Sequence, residues 1–292
     1  MSIETNVNNT NNNYNSFCCL LCGKSNLDNF KVIYDHSQKL CRCNTCGMIM
    51  AISFTTLTLP KYELFYSDLN IEERLKIHEK DDKITSKENI FRDYVLSLIV
   101  KEKGVNISLL DIGCATGDFL DRAHASGIQR LTGIEPTPSL VAFNKKHGRH
   151  NVIEGYYSQK QFKAESFDVI YHSRVLEHVT NPVEFCKSNY YHLVPGGMLV
   201  VSVPSIRSLT YWLQVITNPN FCDIGPINPQ HRIYFDPNTL KSTLKLAGFS
   251  NISIKTGLWR YKRPTHGLLW QFTTDPIFNL FKIGDILAFA RK

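Results

Sequence analysis

The chain has 292 residues, of which 43% are hydrophobic and 20% charged, with a formal net charge of +7. These proportions exclude a disordered protein, and the length accommodates one α/β domain plus a small extra module. No apolar run reaches the roughly 20 residues that a membrane-spanning helix needs. The lysines and arginines are scattered, which disfavours a nucleic-acid-binding surface but is compatible with an anionic small-molecule substrate.

The amino terminus is a polar tract rich in asparagine, and residues 1–16 are predicted to be a disordered tail. This tract lacks the basic and apolar segments of a signal peptide. We therefore expect the protein in the cytoplasm.

Six of the nine cysteines lie between residues 18 and 46. Two Cys-x-x-Cys pairs, each followed by glycine, have twenty residues between them, a spacing typical of a structural zinc site closed by four thiolates. We predict a zinc module over residues 17–56 with the ligands Cys19, Cys22, Cys43 and Cys46. A disulfide pair is the alternative, which cytoplasmic conditions disfavour. Whether Cys18 or Cys41 replaces a neighbouring ligand stays open.

A charged segment separates this module from the larger domain. Residues 57–87 are predicted to be a linker or a solvated helical connector, and residues 88–292 the main domain. Apolar residues at helical spacing over 88–103 predict a helix packed ahead of the first strand of the sheet.

The stretch from residue 107 to residue 120 carries the strongest functional signal. An apolar run containing Asp111 leads into a turn of small residues, Gly113, Ala115 and Gly117, and then into an apolar-periodic segment. This order predicts a buried strand, a tight loop and a helix, where backbone approaches a ligand closely. Glu135 ends the next short strand, where a carboxylate accepts hydrogen bonds from both hydroxyls of a ribose.

The spacing also indicates which nucleoside cofactor fits. The dinucleotide fingerprint requires a small residue where this chain has Asp118, and a carboxylate there would repel a pyrophosphate while suiting the helix dipole. A cofactor without phosphates is therefore favoured.

The remaining pattern alternates strands and helices, which predicts a doubly wound α/β sheet. Pro195-Gly-Gly197 is predicted to break the chain before the fifth strand, and Asp236-Pro237 to open a helix. Strands are predicted near 30–34, 48–54, 107–112, 130–135, 151–155, 167–172, 197–203, 250–258 and 285–291, and helices near 117–126, 137–147, 181–193 and 236–245.

Leu110-Asp-Ile-Gly-Cys-Ala-Thr-Gly117 and Gly133-Ile-Glu-Pro136 resemble motifs of class I methyltransferases that use S-adenosylmethionine. Further likeness lies in Val175-Leu-Glu-His-Val-Thr-Asn-Pro182, in Leu193–Pro204 and in the segment beginning at His231. With the cysteine module, the set resembles zinc-containing methyltransferases of sugar and polysaccharide biosynthesis. The resemblance implies a Rossmann-like seven-stranded sheet whose last strand is antiparallel, with substrate-side insertions at 205–235 and 259–284.

The resemblance also implies a set of residues that bind the cofactor. Ala115 stands where the pattern prefers glycine, and we expect it to keep a negative φ because of its methyl group. Tyr156 occupies a position where relatives place an acid against the adenine, so Tyr156 or Tyr157 is expected to flank the base. The full set is Asp111, Gly113, Cys114, Ala115, Gly117, Phe119, Glu135, Pro136, Tyr156 and His172.

Transfer of a methyl group to oxygen requires a general base, for which histidine is best suited near neutral pH. The candidate catalytic residues are His178, then Glu177, His172 and His231; a purely structural role for Glu177 and His178 stays open. Ubiquinone-pathway O-methyltransferases resemble this element and bind a divalent metal there, but Arg174 replaces one of their ligands. We therefore expect no second metal at Glu177 and His178.

The leading hypothesis is O- or C-methylation of a sugar, nucleotide sugar or glycan precursor. The chain is too short for the additional carboxyl-terminal domain that carbohydrate C-methyltransferases usually carry, which favours oxygen as the acceptor. An RNA methyltransferase whose zinc module grips RNA, and a non-catalytic regulator or scaffold that binds the cofactor, are the alternatives. The oligomeric state stays open.

Overall fold

The computed structural model describes residues 18–35, 39–52, 82–147, 150–207, 230–257 and 285–292. The predicted tail at 1–16 lies outside the described residues, as do most of the connector at 57–87, most of the insertion at 205–235 and all of that at 259–284.

Eleven strands lie within the described residues. They are β1 (Phe30–Asp35), β2 (Lys39–Cys43), β3 (Ile49–Ala51), β4 (Ser108–Ile112), β5 (Arg130–Glu135), β6 (Asn151–Glu154), β7 (Phe167–Ser173), β8 (Leu193–Val203), β9 (Ile233–Tyr234), β10 (Ser250–Gly257) and β11 (Asp285–Arg291).

Seven of these strands form the central sheet, in the order β10-β11-β8-β7-β4-β5-β6. Strands β4 to β8 are parallel, whereas β11 is antiparallel to both of its neighbours, β8 and β10. The expected seven-stranded α/β sheet with its last strand antiparallel is therefore confirmed.

Helices cover both faces of this sheet, because its strands are apolar on both sides. The helices are α1 (Asp82–Lys103), α2 (Asp118–Ala125), α3 (Pro138–His147), α4 (Pro182–His192) and α5 (Pro237–Leu246). Apolar residues of α1, α2 and α3 pack in one core cluster. Those of α4 and α5 pack in the other, together with residues of the cysteine module.

Two helices begin where the sequence predicts. Asn181 accepts a hydrogen bond from the Glu184 amide ahead of Pro182. Asp236 forms a reciprocal capping box with Thr239 ahead of Pro237. Both starts follow from a polar N-cap and a proline in the first helical turn.

Other boundaries differ from the prediction. Strand β8 begins at Leu193, not at 197, because Leu193 pairs with Phe167 before an irregularity in the register. Helix α1 begins at Asp82 and thus includes the end of the predicted connector. The strand predicted over 48–54 is confined to Ile49–Ala51 within the described residues.

A second sheet joins the cysteine module to the main domain. Its order is β1-β2-β3-β9, all pairs being antiparallel. Strand β9 comes from the segment predicted as a substrate-side insertion and was not predicted as a strand. The module thus shares its sheet with a strand nearly two hundred residues later in the chain.

None of the helices in the described part of the chain is long and apolar enough to cross a membrane.

Candidate active site

A cavity of about 980 Å³ opens at the carboxyl ends of β4, β5 and β7. This is the edge of a parallel sheet at which ligands bind in doubly wound folds. Its walls combine the loop after β4, the end of β5, the segment after β6 and the turn after β7. The cavity falls within the size range of small-molecule sites.

The loop after β4 leaves no room for larger side chains. Gly113 has φ of 73°, and a Cβ atom there would lie 2.7 Å from Val175 Cγ2. Gly117 has φ of 82°, and its Cβ would lie 2.3 Å from Asn144 Oδ1. Glycine at both positions is therefore required by backbone conformation and by close packing.

Ala115 contradicts the expectation of a negative φ. Its φ is 49°, in the left-handed region, which costs a residue with a Cβ about 1–2 kcal/mol. Two hydrogen bonds hold it there: its amide donates to Glu135 Oε2 at 3.0 Å, and its carbonyl accepts from Asn144 Nδ2 at 2.7 Å. These contacts offset the conformational cost.

Glu135 is buried at the end of β5 and lines the cavity. Its two carboxylate oxygens accept hydrogen bonds from the amides of Ala115 and Thr137, each at 3.0 Å. Each oxygen keeps further acceptor capacity, since a carboxylate oxygen has two lone pairs. The side chain is thus held in place with acceptors available for hydroxyl groups of a ligand.

Asp111 is a buried carboxyl group in the same wall. Desolvation is the main cause that raises its pKa to about 8, with Glu135 and Asp118 adding to the effect and Arg92 opposing it. A cationic ligand placed beside it would favour the ionised form.

Most of the remaining predicted cofactor residues also line this cavity. Phe119 stacks on Tyr171 with ring centroids 3.7 Å apart, and Tyr156 is 67% exposed and forms part of the rim. Gly117 lies outside the lining and shapes the start of α2. The predicted residues in contact with the cavity are Asp111, Gly113, Cys114, Ala115, Phe119, Glu135, Pro136 and Tyr156.

His172 does not meet the expectation of a cavity residue. It is fully buried beneath the sheet edge, packs edge-on against Phe185, and neither ring nitrogen has a hydrogen-bond partner among the described residues. Burial lowers its pKa to about 3. Side chains alternate between faces along a strand, so His172 points into the core while its neighbours Tyr171 and Ser173 line the cavity.

The other candidate catalytic residues lie close together. His178 lines the cavity, whereas Glu177 and His231 lie behind it. The ring centroids of His178 and His231 are 4.9 Å apart. Glu177, His178 and His231 each offer one potential metal-ligating atom, and these three atoms lie within 4.8 Å of one another. His178 Nδ1 lies 3.1 Å from the Gln230 carbonyl oxygen, so Nδ1 donates the proton there and Nε2 is the basic nitrogen.

Two arginines line the same end of the cavity. Arg174 has a left-handed backbone with φ of 62°, and its guanidinium lies 3.2 Å from the buried carboxylate of Asp285. Arg232 is 7% exposed, and its amide donates to the Glu177 carbonyl at 2.9 Å. We call Arg174, His178 and Arg232 the acceptor wall.

The four predicted zinc ligands converge in the structure. Their sulfur atoms all lie within 4.8 Å of one another, with Cys19 and Cys46 at 3.4 Å and Cys22 and Cys43 at 3.6 Å. Burial raises the pKa of Cys19 and Cys46, whereas backbone and thiol hydrogen bonds outweigh burial at Cys43 and lower its pKa to about 7. Four sulfur atoms this close could hold a metal cation, which would favour their thiolate forms. Cys18 and Cys41 lie outside the cluster.

A family model described as "Methyltransferase domain" matches residues 87–254. The chain belongs to this methyltransferase family. The match begins in α1 and ends in β10, and therefore contains the glycine loop, Glu135 and the acceptor wall.

Relatives and solved structures agree with this methyltransferase assignment. The chain is 29% identical over 157 residues to a tRNA U34 carboxymethyltransferase of Pseudoalteromonas translucida, covering 51% of this chain and 46% of that protein. It is 25% identical over 183 residues to the mitochondrial ubiquinone biosynthesis O-methyltransferase of Rattus norvegicus, covering 59% and 52%. The chain spans about half the length of these relatives.

Among solved structures, the methyltransferase fold matches a SAM-dependent methyltransferase from Thermotoga maritima. The TM-score is 0.53 at 19% identity, with 79% of this chain and 99% of that chain covered. This likeness concerns the fold.

Sequence reasoning missed three residues of the methyltransferase site. Arg232 follows a predicted candidate but carried no motif of its own, and Tyr171 was obscured by the apolar run of β7. Asn144, which holds Ala115, lies on a helix whose polar residues resemble an ordinary solvated face, although it is 3% exposed. A polar residue on the buried face of α3 was the available signal.

Proposed function

We propose that this protein transfers a methyl group from S-adenosylmethionine to a hydroxyl group of an anionic small molecule, a nucleotide sugar or a related glycan precursor. The observation that carries the proposal is one cavity lined by Glu135 and the glycine loop and also by His178. Cofactor and acceptor would thus meet between fixed groups.

The cofactor half is assigned to the loop after β4 and the end of β5. Glu135 would accept hydrogen bonds from the ribose hydroxyls, and Gly113 allows backbone to approach the ligand. Asp111 would face the cationic portion of S-adenosylmethionine. S-adenosylmethionine supplies a methyl group activated by its sulfonium.

His178 is assigned as the general base. Its Nδ1 donates to the Gln230 carbonyl, so the proton that the acceptor hydroxyl loses as its oxygen bonds to the methyl carbon would go to Nε2. Glu177 and His231 would position His178 rather than contact the acceptor, since both lie behind the cavity surface.

The acceptor wall supports an anionic acceptor. Arg174, whose guanidinium also pairs with Asp285, and Arg232 both line the cavity that His178 lines. A guanidinium has five N–H donors and binds phosphate or carboxylate groups with two parallel hydrogen bonds. A nucleotide sugar carries a diphosphate that would fit these donors.

RNA methylation is the second candidate, and the similarity to the tRNA-modifying relative favours it. An RNA phosphate would bind to the same arginines. The cavity nevertheless has the size of a small-molecule site.

We also propose that Cys19, Cys22, Cys43 and Cys46 bind one structural zinc ion. The donor set fits, because four close sulfur atoms without an open position match closed tetrahedral coordination. Zinc there would fold the module and take no part in methyl transfer.

A methyl-transfer screen with labelled S-adenosylmethionine tests the proposed function, with nucleotide sugars and bulk RNA as acceptors. Label in a nucleotide sugar is the expected result, and His178→Asn should lower kcat about 10²–10⁴-fold without weakening binding of S-adenosylhomocysteine. His124→Asn, at an exposed position of α2, is the control. Label found in RNA alone would replace the first candidate with the second.

A further inference from the structure

The turn at Cys43–Cys46 is hydrogen-bonded to the residues that lead into strand β3. The amide of Cys43 donates to the Met48 carbonyl at 2.8 Å, and the amide of Gly47 donates to the Cys43 carbonyl at 2.9 Å. Strand β3 begins three residues after Cys46. The position of this strand therefore depends on the conformation of the cysteine turn.

Strand β3 in turn holds the segment that carries Arg232. Met50 pairs with Ile233 and Ile49 with Tyr234, and the Ala51 amide donates to the Arg232 carbonyl at 3.0 Å. Strand β9 has two residues and, within the described chain, pairs with no other strand. A strand this short has no stability of its own.

The backbone of Arg232 links strand β3 to the turn that bears His178. Its amide donates to the Glu177 carbonyl at 2.9 Å, while its carbonyl is held by Ala51. The carbonyl oxygen of Gln230, two residues before Arg232, accepts a hydrogen bond from His178 Nδ1. One peptide segment thus connects the cysteine module to two members of the acceptor wall.

Packing reinforces the hydrogen bonds. Met48 and Met50 are buried in one apolar cluster with Leu176, Ile233 and Phe235. By contrast, no hydrogen bond among the described residues joins residues 18–52 to the loop 113–117 or to Glu135. Within the described residues, the hydrogen bonds of the module therefore reach the acceptor wall and not the glycine loop, although the shared apolar cluster also contains Ile112 and Ile134.

We propose that the cysteine module is a positioning element for the acceptor wall: a metal ion on its four thiolates orders β3, and β3 fixes Arg232 and the His178 turn, while the cofactor half folds independently of the metal. The inference rests on the proposed function for the naming of the two halves. Physically, metal binding by the four cysteines would be coupled to the ordering of residues 230–235.

Amide hydrogen exchange of the full-length protein, before and after removal of zinc with a chelator, tests this coupling. After zinc removal, amides at 231–234 should exchange at least about tenfold faster, whereas those at 113–117 and the affinity for S-adenosylhomocysteine should not change. Adding zinc back should restore protection.

Cys22→Ser should reproduce the chelated state, and Cys18→Ser, outside the cluster, should retain zinc and normal exchange.

A second variant separates the strand contact from the metal itself. Ala51→Pro removes the amide that donates to Arg232, and it should retain zinc yet expose 231–234 as chelation does; Ala51→Ser keeps the amide and should resemble the wild type. Unchanged exchange at 231–234 in zinc-free protein, equal loss of protection at 113–117, or a protein that binds no metal would each overturn the proposal. Absence of methyl transfer would overturn the proposed function and leave this coupling intact.

Discussion

At the scale of single residues, Ala115 shows how the cofactor loop tolerates a departure from glycine. Its left-handed conformation is held by Glu135 and Asn144. The same hydrogen bond fixes the Glu135 carboxylate, so the strained residue also orients the acid expected to bind the ribose.

Ala115→Gly should stabilise the protein slightly. Glycine relieves about 1–2 kcal/mol of left-handed strain. It also raises the entropy of the unfolded chain, which opposes this gain by about 0.4–1 kcal/mol. The free energy of unfolding should therefore rise by up to ~1.6 kcal/mol. Chemical denaturation measures this. Ala123→Gly, buried inside α2 with a right-handed backbone, should instead lose about 1–2 kcal/mol, from helix propensity and from the lost buried methyl group. A clear loss of stability in Ala115→Gly would show that its φ is not strained.

Asp111 should make cofactor binding depend on pH. Because its pKa of about 8 in the folded protein exceeds 3.8, its ordinary value, ionisation is unfavourable, and the contribution to stability falls as pH rises from about 4 through 8. A cationic ligand favours the ionised form, so the affinity for S-adenosylmethionine should rise about three- to tenfold between pH 6.5 and 8.5. Calorimetric titration measures this, and Asp111→Asn should show no such rise. Equal affinity of the wild type at both pH values would contradict the role given to Asp111.

At the scale of elements, local chemistry predicted most of the large sheet and two of the four strands of the small one, β1 and β3. Helices α4 and α5 begin at polar caps followed by proline, and their starts were predictable from sequence. Strand β9 was not, since a two-residue strand has no periodicity and forms only against β3. Leu193 likewise joined β8 through its partner Phe167, which no local signal reveals.

Asp236→Ala tests the capping box of α5. The Asp236 carboxylate accepts hydrogen bonds from the amides of Asn238 and Thr239, and loss of such a cap costs about 1 kcal/mol. Thermal unfolding should show a lower midpoint for Asp236→Ala than for Asn238→Ala, which keeps the cap. Equal midpoints would mean that the cap contributes nothing.

At the scale of the whole molecule, the sequence predicted the cofactor half of the site better than the acceptor half. Gly113 and Gly117 lie in one strand–loop–helix unit, and Glu135 ends the strand that follows it in the chain. The acceptor wall combines Arg174, His178 and Arg232 from segments that meet only in the folded chain. His172 illustrates the limit, because its strand position was predictable but the face on which its side chain lies was not.

Isothermal titration with S-adenosylhomocysteine tests most directly whether the cavity binds S-adenosylmethionine through Glu135. Glu154→Ala is the matched control, since Glu154 pairs with Glu135 in the sheet but is exposed outside the cavity. We expect one site per chain, with an affinity that is weakened at least about tenfold by Glu135→Ala and unchanged by Glu154→Ala. No binding by the wild type, or equal affinity of Glu135→Ala and the wild type, would contradict it.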